Sequence, residues 1–223
     1  MTDETKLTGL GSVLRIQAVL VAIALVAGLA IATVHEWTRP MVMAQRGGQL
    51  GEAALSVMPG AEHYRIYTRD ADGIPRLSGD DDRPELFIGF DARGRAVGAA
   101  IVASGMGYAD TIELVFGLHP ELDRLTGMRV VAARETPGIG TVITDDAGWV
   151  ESFTRIQLPF DGQGQLQELR VRDNARLEAG EVDAITGATV SVFAVTRIIN
   201  RGLAEWLPIL REEFDQLAGG RRG

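Results

Sequence analysis

An α+β domain behind one membrane-spanning helix is the architecture this sequence predicts, on three observations. Residues 18–34 carry no charged side chain. Short apolar runs separated by turn residues fill the middle of the chain. An apolar stripe then closes it, with Val192, Val195, Ile199, Leu203, Trp206 and Leu210 three or four residues apart, the spacing of one helix face. Short antiparallel strands followed by one helix make a sheet-and-helix layer pair. At 223 residues and 46% hydrophobic content, the chain can bury one substantial core once a membrane segment is set aside.

Residues 1–10 are polar, and residues 1–15 are expected to form an N-terminal tail. With Ile16 and Gln17, the uncharged run approaches the ~20 residues a helix needs to cross a bilayer. A buried core helix and a signal peptide cleaved at Ala30-Ile-Ala32 are the alternatives. The run exceeds the roughly 7 to 15 residues of a signal core, and few soluble helices are apolar all round. Both facts favour a retained anchor over residues 16–36, with Trp37 in the interfacial belt. Basic residues give no orientation, because Lys6 and Arg15 before the segment are matched by Arg39 and Arg46 after it.

Residues 37–60 read as a connector. Met41, Ala44, Leu50, Ala54, Leu55 and Met58 have helical spacing, but Gly47-Gly48 interrupts them and Pro59-Gly60 closes the stretch. The domain is expected over residues 61–215 and a flexible tail over 216–223. Polar loops lie around Gly73 to Pro75 and at Asp80-Asp-Asp-Arg83, without the spacing of an EF-hand. Leu86–Phe90 and residues 96–103 flank Asp91-Ala-Arg-Gly-Arg95 as a hairpin. Thr111–Leu118 and residues 128–131 form a second pair, and residues 165–171, with Leu166, Leu169 and Val171, an edge strand.

Composition excludes several functions. The chain has no cysteine, which removes disulfides, thiolate-held iron–sulfur clusters and thioether-bound haem. A formal net charge of -8 argues against a nucleic-acid surface. His35, His63 and His119 are scattered singly, a poor basis for a metal site.

One polar cluster stands out at the start of the closing helix. Asp183-Ala-Ile-Thr-Gly-Ala-Thr189 packs an acid, two threonines and a glycine into seven residues. A Thr or Asp there ordinarily serves as an N-cap, with Gly supplying the turn. The same place also presents unpaired backbone N–H groups and the positive end of the macrodipole, a seat for a phosphate. Gly187 and Ala188 would let a bulky group approach the backbone. These residues alone leave both readings open.

The cluster resembles the Asp-x-x-Ser/Thr-Gly-Ala-Thr flavinylation motif of the FMN-binding domains in the RnfG and NqrC subunits of membrane redox complexes. Upstream, Glu135-Thr-Pro-Gly-Ile-Gly140 resembles the RnfG segment Glu-Thr-Pro-Gly-Leu-Gly, and Ser104-Gly-Met-Gly-Tyr108 loosely resembles the family's Gly-rich segment. Two departures are visible: Ala133 and Arg134 stand where RnfG proteins commonly have His and Lys, and Ile139 replaces Leu, a change that conserves volume.

The resemblance implies an FMN-binding domain whose flavin is esterified through its phosphate to Thr189 by a separate flavin transferase. Asp183, Thr186, Gly187 and Ala188 would complete the motif. Glu135, Thr136, Gly138, Ile139 and Gly140 would line the cofactor, and Tyr108 would stack on it. It further implies an electron-transfer subunit of an ion-translocating complex in the inner membrane, catalytic only with its partner subunits, with the domain on the periplasmic side and the tail in the cytoplasm. The alternatives are an NqrC-like subunit of a sodium-pumping NADH:quinone complex and a flavin-free, membrane-anchored assembly module.

Overall fold

The computed structural model describes residues 4–79 and 82–219. Asp80 and Asp81 of the expected polar loop, residues 1–3 and residues 220–223 of the expected tails, and the side chains of Lys6, Arg39, Met41, Ala44 and Arg46 lie outside what is described. Met1–Arg46 and Gly47–Gly223 are separate compact units.

Helix α1 (Glu4–Ser56) contributes to both. In the first unit its span Arg15–Thr38 runs 24 residues at a mean hydropathy of 2.4. Leu25, Val26, Leu29 and Ile31 on it are all exposed. A helix that is apolar on every side and covered on none matches the length and polarity of a bilayer core.

The second unit is built on a six-stranded antiparallel sheet in the order β2-β1-β3-β4-β5-β6. Its strands are β1 (His63–Arg69), β2 (Pro75–Leu77), β3 (Leu86–Phe90), β4 (Ala96–Met106), β5 (Thr111–Leu118) and β6 (Leu125–Ala132). β3 and β5 read as unbroken apolar runs because both faces of the sheet are covered. Leu86, Ile88, Ile101, Leu114 and Phe116 face Val192, Val195, Ile199, Leu203 and Trp206 of the closing helix α4 (Thr189–Gly219). The alternate residues Phe87, Ala100 and Val115 pack on Leu50, Ala53, Ala54, Val57 and Met58 from the end of α1.

The expected connector is therefore helical as far as Ser56, and its last turns form a layer of the domain. Gly47 and Gly48 each disfavour a helix by about 0.5–1 kcal/mol relative to Ala. Burial of the next apolar residues against the sheet outweighs that, as tertiary packing usually does for helices. The Thr126 hydroxyl donates to the Val57 carbonyl at 2.5 Å, and Gly117 lies so close beneath that a Cβ there would collide with both groups. Gly117→Ala should lower stability by about 1–3 kcal/mol, the usual cost of overpacking, in a denaturant titration. An unchanged midpoint would mean that the end of α1 yields freely.

Asp91 closes the β3–β4 hairpin by accepting from the Arg93 and Arg95 N–H groups, both at 2.9 Å. The expected edge strand at 165–171 is much shorter: β7 (Arg170–Arg172) pairs in parallel with β8 (Glu181–Asp183). Asp161 accepts from the N–H groups of Gln163 and Gln165, holding that stretch in a turn that ends in a lone bridge between Phe160 and Leu166. β1 and β2 had no apolar run to announce them, and neither did α2 (Val142–Asp145) and α3 (Ala147–Ser152).

Antiparallel pairing sets Met106 opposite Thr111 and Glu113 opposite Ala132, so the β4–β5 turn and the segment after β6 leave the same end of the sheet. The start of α4 lies at that end too, joined there by a hydrogen bond between Ser191 and Glu135.

Candidate flavin site

Glu135 is the node of this end. It is 7% exposed, and its Oε1 accepts from the backbone N–H groups of Tyr108 and Ala109 at 3.1 and 3.2 Å. Its Oε2 accepts from the Ser191 hydroxyl at 2.7 Å. One carboxylate thus ties the β4–β5 turn, its own loop and the first turn of α4. Two glycines make room for it. A Cβ on Gly107 would strike Oε1, and one on Gly140 would come within 2.6 Å of Oε2. The loop from Glu135 is compact, because the Thr136 carbonyl accepts from Ile139 and Gly140 at 3.2 and 2.8 Å, and the Gly138 N–H donates to the Thr141 hydroxyl at 3.1 Å.

The stretch from Asp183 to Thr189 runs from the end of β8 into α4. Asp183 does not cap α4. Its carboxylate accepts from the Ala175 N–H at 2.7 Å, and its carbonyl accepts from the Trp149 indole at 2.9 Å, so it fixes the strand end instead. The chain then turns through Ile185–Ala188, with the Ala188 N–H donating to the Ile185 carbonyl at 3.0 Å. Gly187 takes φ +87°, a conformation costly for any residue with a Cβ, and open space surrounds it. Thr186 and Gly187 are exposed and Ala188 is buried. Thr189 is the first residue of α4 and is exposed. Among the described residues, no side chain accepts from the N–H groups of Thr189, Val190 or Ser191. The helix start keeps free backbone donors of the kind that hold a phosphate.

Around this node stand five exposed apolar side chains: Met106, Tyr108, Ile139, Val190 and Phe193. Tyr108 and Ile139 belong to the expected site. Met106, Val190, Phe193 and Ser191 do not, although helical spacing sets Phe193 four residues past Thr189 on the same face. Apolar walls beside unpaired N–H donors fit a flat aromatic ring system carrying a phosphate, so the residues present suit FMN.

β8 owes its position partly to Glu181. The Arg176 guanidinium, and then the Arg176 backbone N–H, hold its carboxyl below the ordinary carboxylate range. A depressed folded value contributes stability that is present above the unfolded pKa and lost as pH falls through the folded one. Glu181→Gln should therefore lose that contribution at neutral pH, a small one since the pair is exposed, and converge with the wild type as pH falls below about 4.5, which flattens the acid limb of a stability–pH profile. At the opposite end of the sheet His119 meets Glu121 and Asp123, their ligand atoms within 4.8 Å of one another. Its Nδ1 accepts from the Glu121 N–H at 3.3 Å, a turn contact that accounts for the grouping.

Residues 107–204 match the FMN-binding domain family, a stretch that includes Glu135 and the turn before α4. The chain is 30% identical over 183 residues to RnfG of the ion-translocating oxidoreductase complex of Cereibacter sphaeroides, spanning 80% of this chain and 77% of that one. It is 28% identical over 199 residues to the corresponding RnfG protein of Methanosarcina acetivorans, covering 87% and 92%. With RnfG of Pseudomonas aeruginosa it shares 29% identity over 197 residues, covering 86% and 87%. Among solved structures, NqrC of Shewanella oneidensis superposes with a TM-score of 0.50 at 25% identity, over 72% of this chain and 73% of that one. The NqrC protein of the Na(+)-translocating NADH-quinone reductase of Parabacteroides distasonis gives 0.54 at 15% identity, over 67% and 78%, and shares the fold.

Proposed function

The chain belongs to the RnfG family of ion-translocating oxidoreductase complexes, and on that premise we propose that its FMN is carried as a phosphoester on Thr189. It is a membrane-anchored, FMN-binding electron-transfer subunit of an Rnf-type complex, and the other subunits of that complex are its partners.

The observation that carries the Thr189 assignment is the exposure of that hydroxyl at a helix start whose N–H groups have no side-chain acceptor among the described residues. Thr186 is also exposed but precedes the turn, and Ser191 is buried and committed to Glu135. A Thr hydroxyl is a weak nucleophile that needs a base and a stabilised leaving group. No described side chain hydrogen-bonds to Thr189, which supports a separate flavin transferase as the source of both. In the coupling, the Thr189 oxygen gives up its proton to a base of the transferase and forms the new bond to phosphorus. The donor is an activated flavin phosphoanhydride bound by the transferase, whose P–O–P link breaks as the new bond forms, and the displaced phosphate fragment departs as an anion.

Bound FMN supplies one- and two-electron redox chemistry, and the protein supplies position and field. The free N–H groups of the first turn of α4 would hold the phosphate, Ile139, Tyr108, Val190 and Phe193 would keep water from the ring, and Glu135 holds those segments together. The α1 span makes the chain a single-pass membrane protein, with the domain on the periplasmic side of the inner membrane in this reading. A covalent tether then keeps the cofactor where no cytoplasmic FMN pool could replace it.

Co-expression with a flavin transferase should give a fluorescent band in a denaturing gel and an intact mass raised by one FMN. A colourless protein of unmodified mass would refute the ester and favour the assembly-module reading. An NqrC-like role is weaker, since NqrC likeness lies in the fold whereas the RnfG relatives match most of the sequence. Protease protection of the domain in oriented vesicles tests its side of the membrane.

A further inference from the structure

We infer that Glu135 is a fixed anion that sets the reduction potential of the FMN at the neighbouring acceptor turn, an inference that rests on Thr189 as the point of attachment. Glu135 is buried, and all three of its partners are neutral donors: the Tyr108 and Ala109 N–H groups and the Ser191 hydroxyl. That set, with donors converging on both oxygens, is the one an acceptor-only carboxylate takes. Among the described residues no Arg, Lys or His pairs with it. Its sequence neighbour Arg134 is exposed and makes no ion pair with it, and the Asp183 carboxylate accepts from the Ala175 N–H.

The charge is also locked in place. Gly107 and Gly140 leave only the room that the carboxylate fills, and Ser191 is two residues beyond Thr189. The Glu135 side chain therefore reaches the very turn that carries the flavin, by way of the loop whose Ile139 is expected to lie against the ring. The reaction it acts on is the one the complex already performs. A donor subunit is oxidised as electrons pass to the flavin, and an acceptor subunit is reduced as they leave. An unpaired negative charge opposes the arrival of each electron. At a separation of about 10 Å and an effective dielectric of about 20, a unit charge shifts such an equilibrium roughly tenfold. No hydrogen bond from Glu135 to the cofactor is needed, which makes this a role through the field and through positioning.

Two variants of the full-length, flavin-loaded protein test it in opposite directions. Glu135→Gln keeps the shape, an oxygen for the two N–H groups and a polar contact for Ser191, and removes the charge. Its flavin should be reduced more easily, with the reduced-to-oxidised ratio at the wild-type midpoint raised about tenfold, equal to 59 mV for a one-electron couple. Ser191→Ala deletes a hydroxyl whose positive end offsets the carboxylate, so its flavin should be harder to reduce. Spectroelectrochemical titration of each protein, after a denaturing gel has shown the flavin band, gives the midpoints. Either variant carrying flavin at the wild-type midpoint overturns the inference, and so does a shift of the same sign in both, which would assign the effect to packing. Absence of the band from the wild type would instead refute attachment at Thr189, and the inference with it.

Discussion

Thr189→Ala is expected to abolish covalent flavin completely. In the proposed linkage the replaced hydroxyl supplies the oxygen of the phosphoester bond, and among the described residues no second hydroxyl combines exposure with a position at the start of α4. Ser191, two residues on, is 2% exposed and donates to Glu135, while Thr186 lies before the Gly187 turn. The fold should survive, because Thr189 is exposed, makes no side-chain hydrogen bond among the described residues, and begins a helix in which Ala is the better former. The informative comparison is therefore between gel fluorescence and circular dichroism. Loss of the band with an unchanged spectrum and melting curve confirms the acceptor, whereas a remaining band with peptide mapping to Thr186 or Ser191 moves the attachment elsewhere. Thr189→Ser should keep part of the signal, since the nucleophilic atom is conserved.

Trp206→Ala is expected to cause the largest loss of stability, about 3–5 kcal/mol, in the range for truncating a buried aromatic. Trp206 is 1% exposed in the interface between α4 and the sheet. The Arg69 guanidinium lies over its ring at 4.9 Å from the centroid while bonding Glu85 at 3.0 Å and Glu205 at 3.1 Å. Removing the indole therefore opens a cavity and leaves the cation without its aromatic face. A domain is stable by only about 5–15 kcal/mol, so the variant should unfold at a much lower urea concentration. Arg69→Met separates the two contributions: the ring remains, the partly buried cation and its pairs with Glu85 and Glu205 are lost, and the expected cost is about 1–2 kcal/mol. A Trp206→Ala midpoint within that smaller range would mean that α4 is not held to the sheet by this interface.

Several elements were legible in the residues because their signals are local. The Asp91 to Arg95 hairpin, β3, β5 and the stripe of α4 all appear where periodicity and turn chemistry put them. β4 and β6 extend past their apolar runs because pairing with β5 carries backbone that has no apolar pattern of its own. β1 escaped notice since His63, Arg65 and Arg69 break its pattern, and it pairs only because β3 offers an edge. The end of α1 looked like a connector because its glycines weaken it locally, and the face of the sheet that it covers is assembled from residues far along the chain.

At the site, the motif pointed to Thr189 through its chemistry and its resemblance to the family, and Glu135 was expected to line the cofactor, not to tie three segments together. The amino-acid sequence by itself determined the apolar span, the pattern of the main strands and the place of the hydroxyl at a helix start, because each follows from neighbours a few residues apart. Only the tertiary structure decided that Asp183 braces a strand end, that Glu135 reaches 56 residues along the chain to Ser191, and that two glycines hollow out its niche. Those contacts join segments distant in sequence, and their geometry exists only once the sheet has brought its loops to one end.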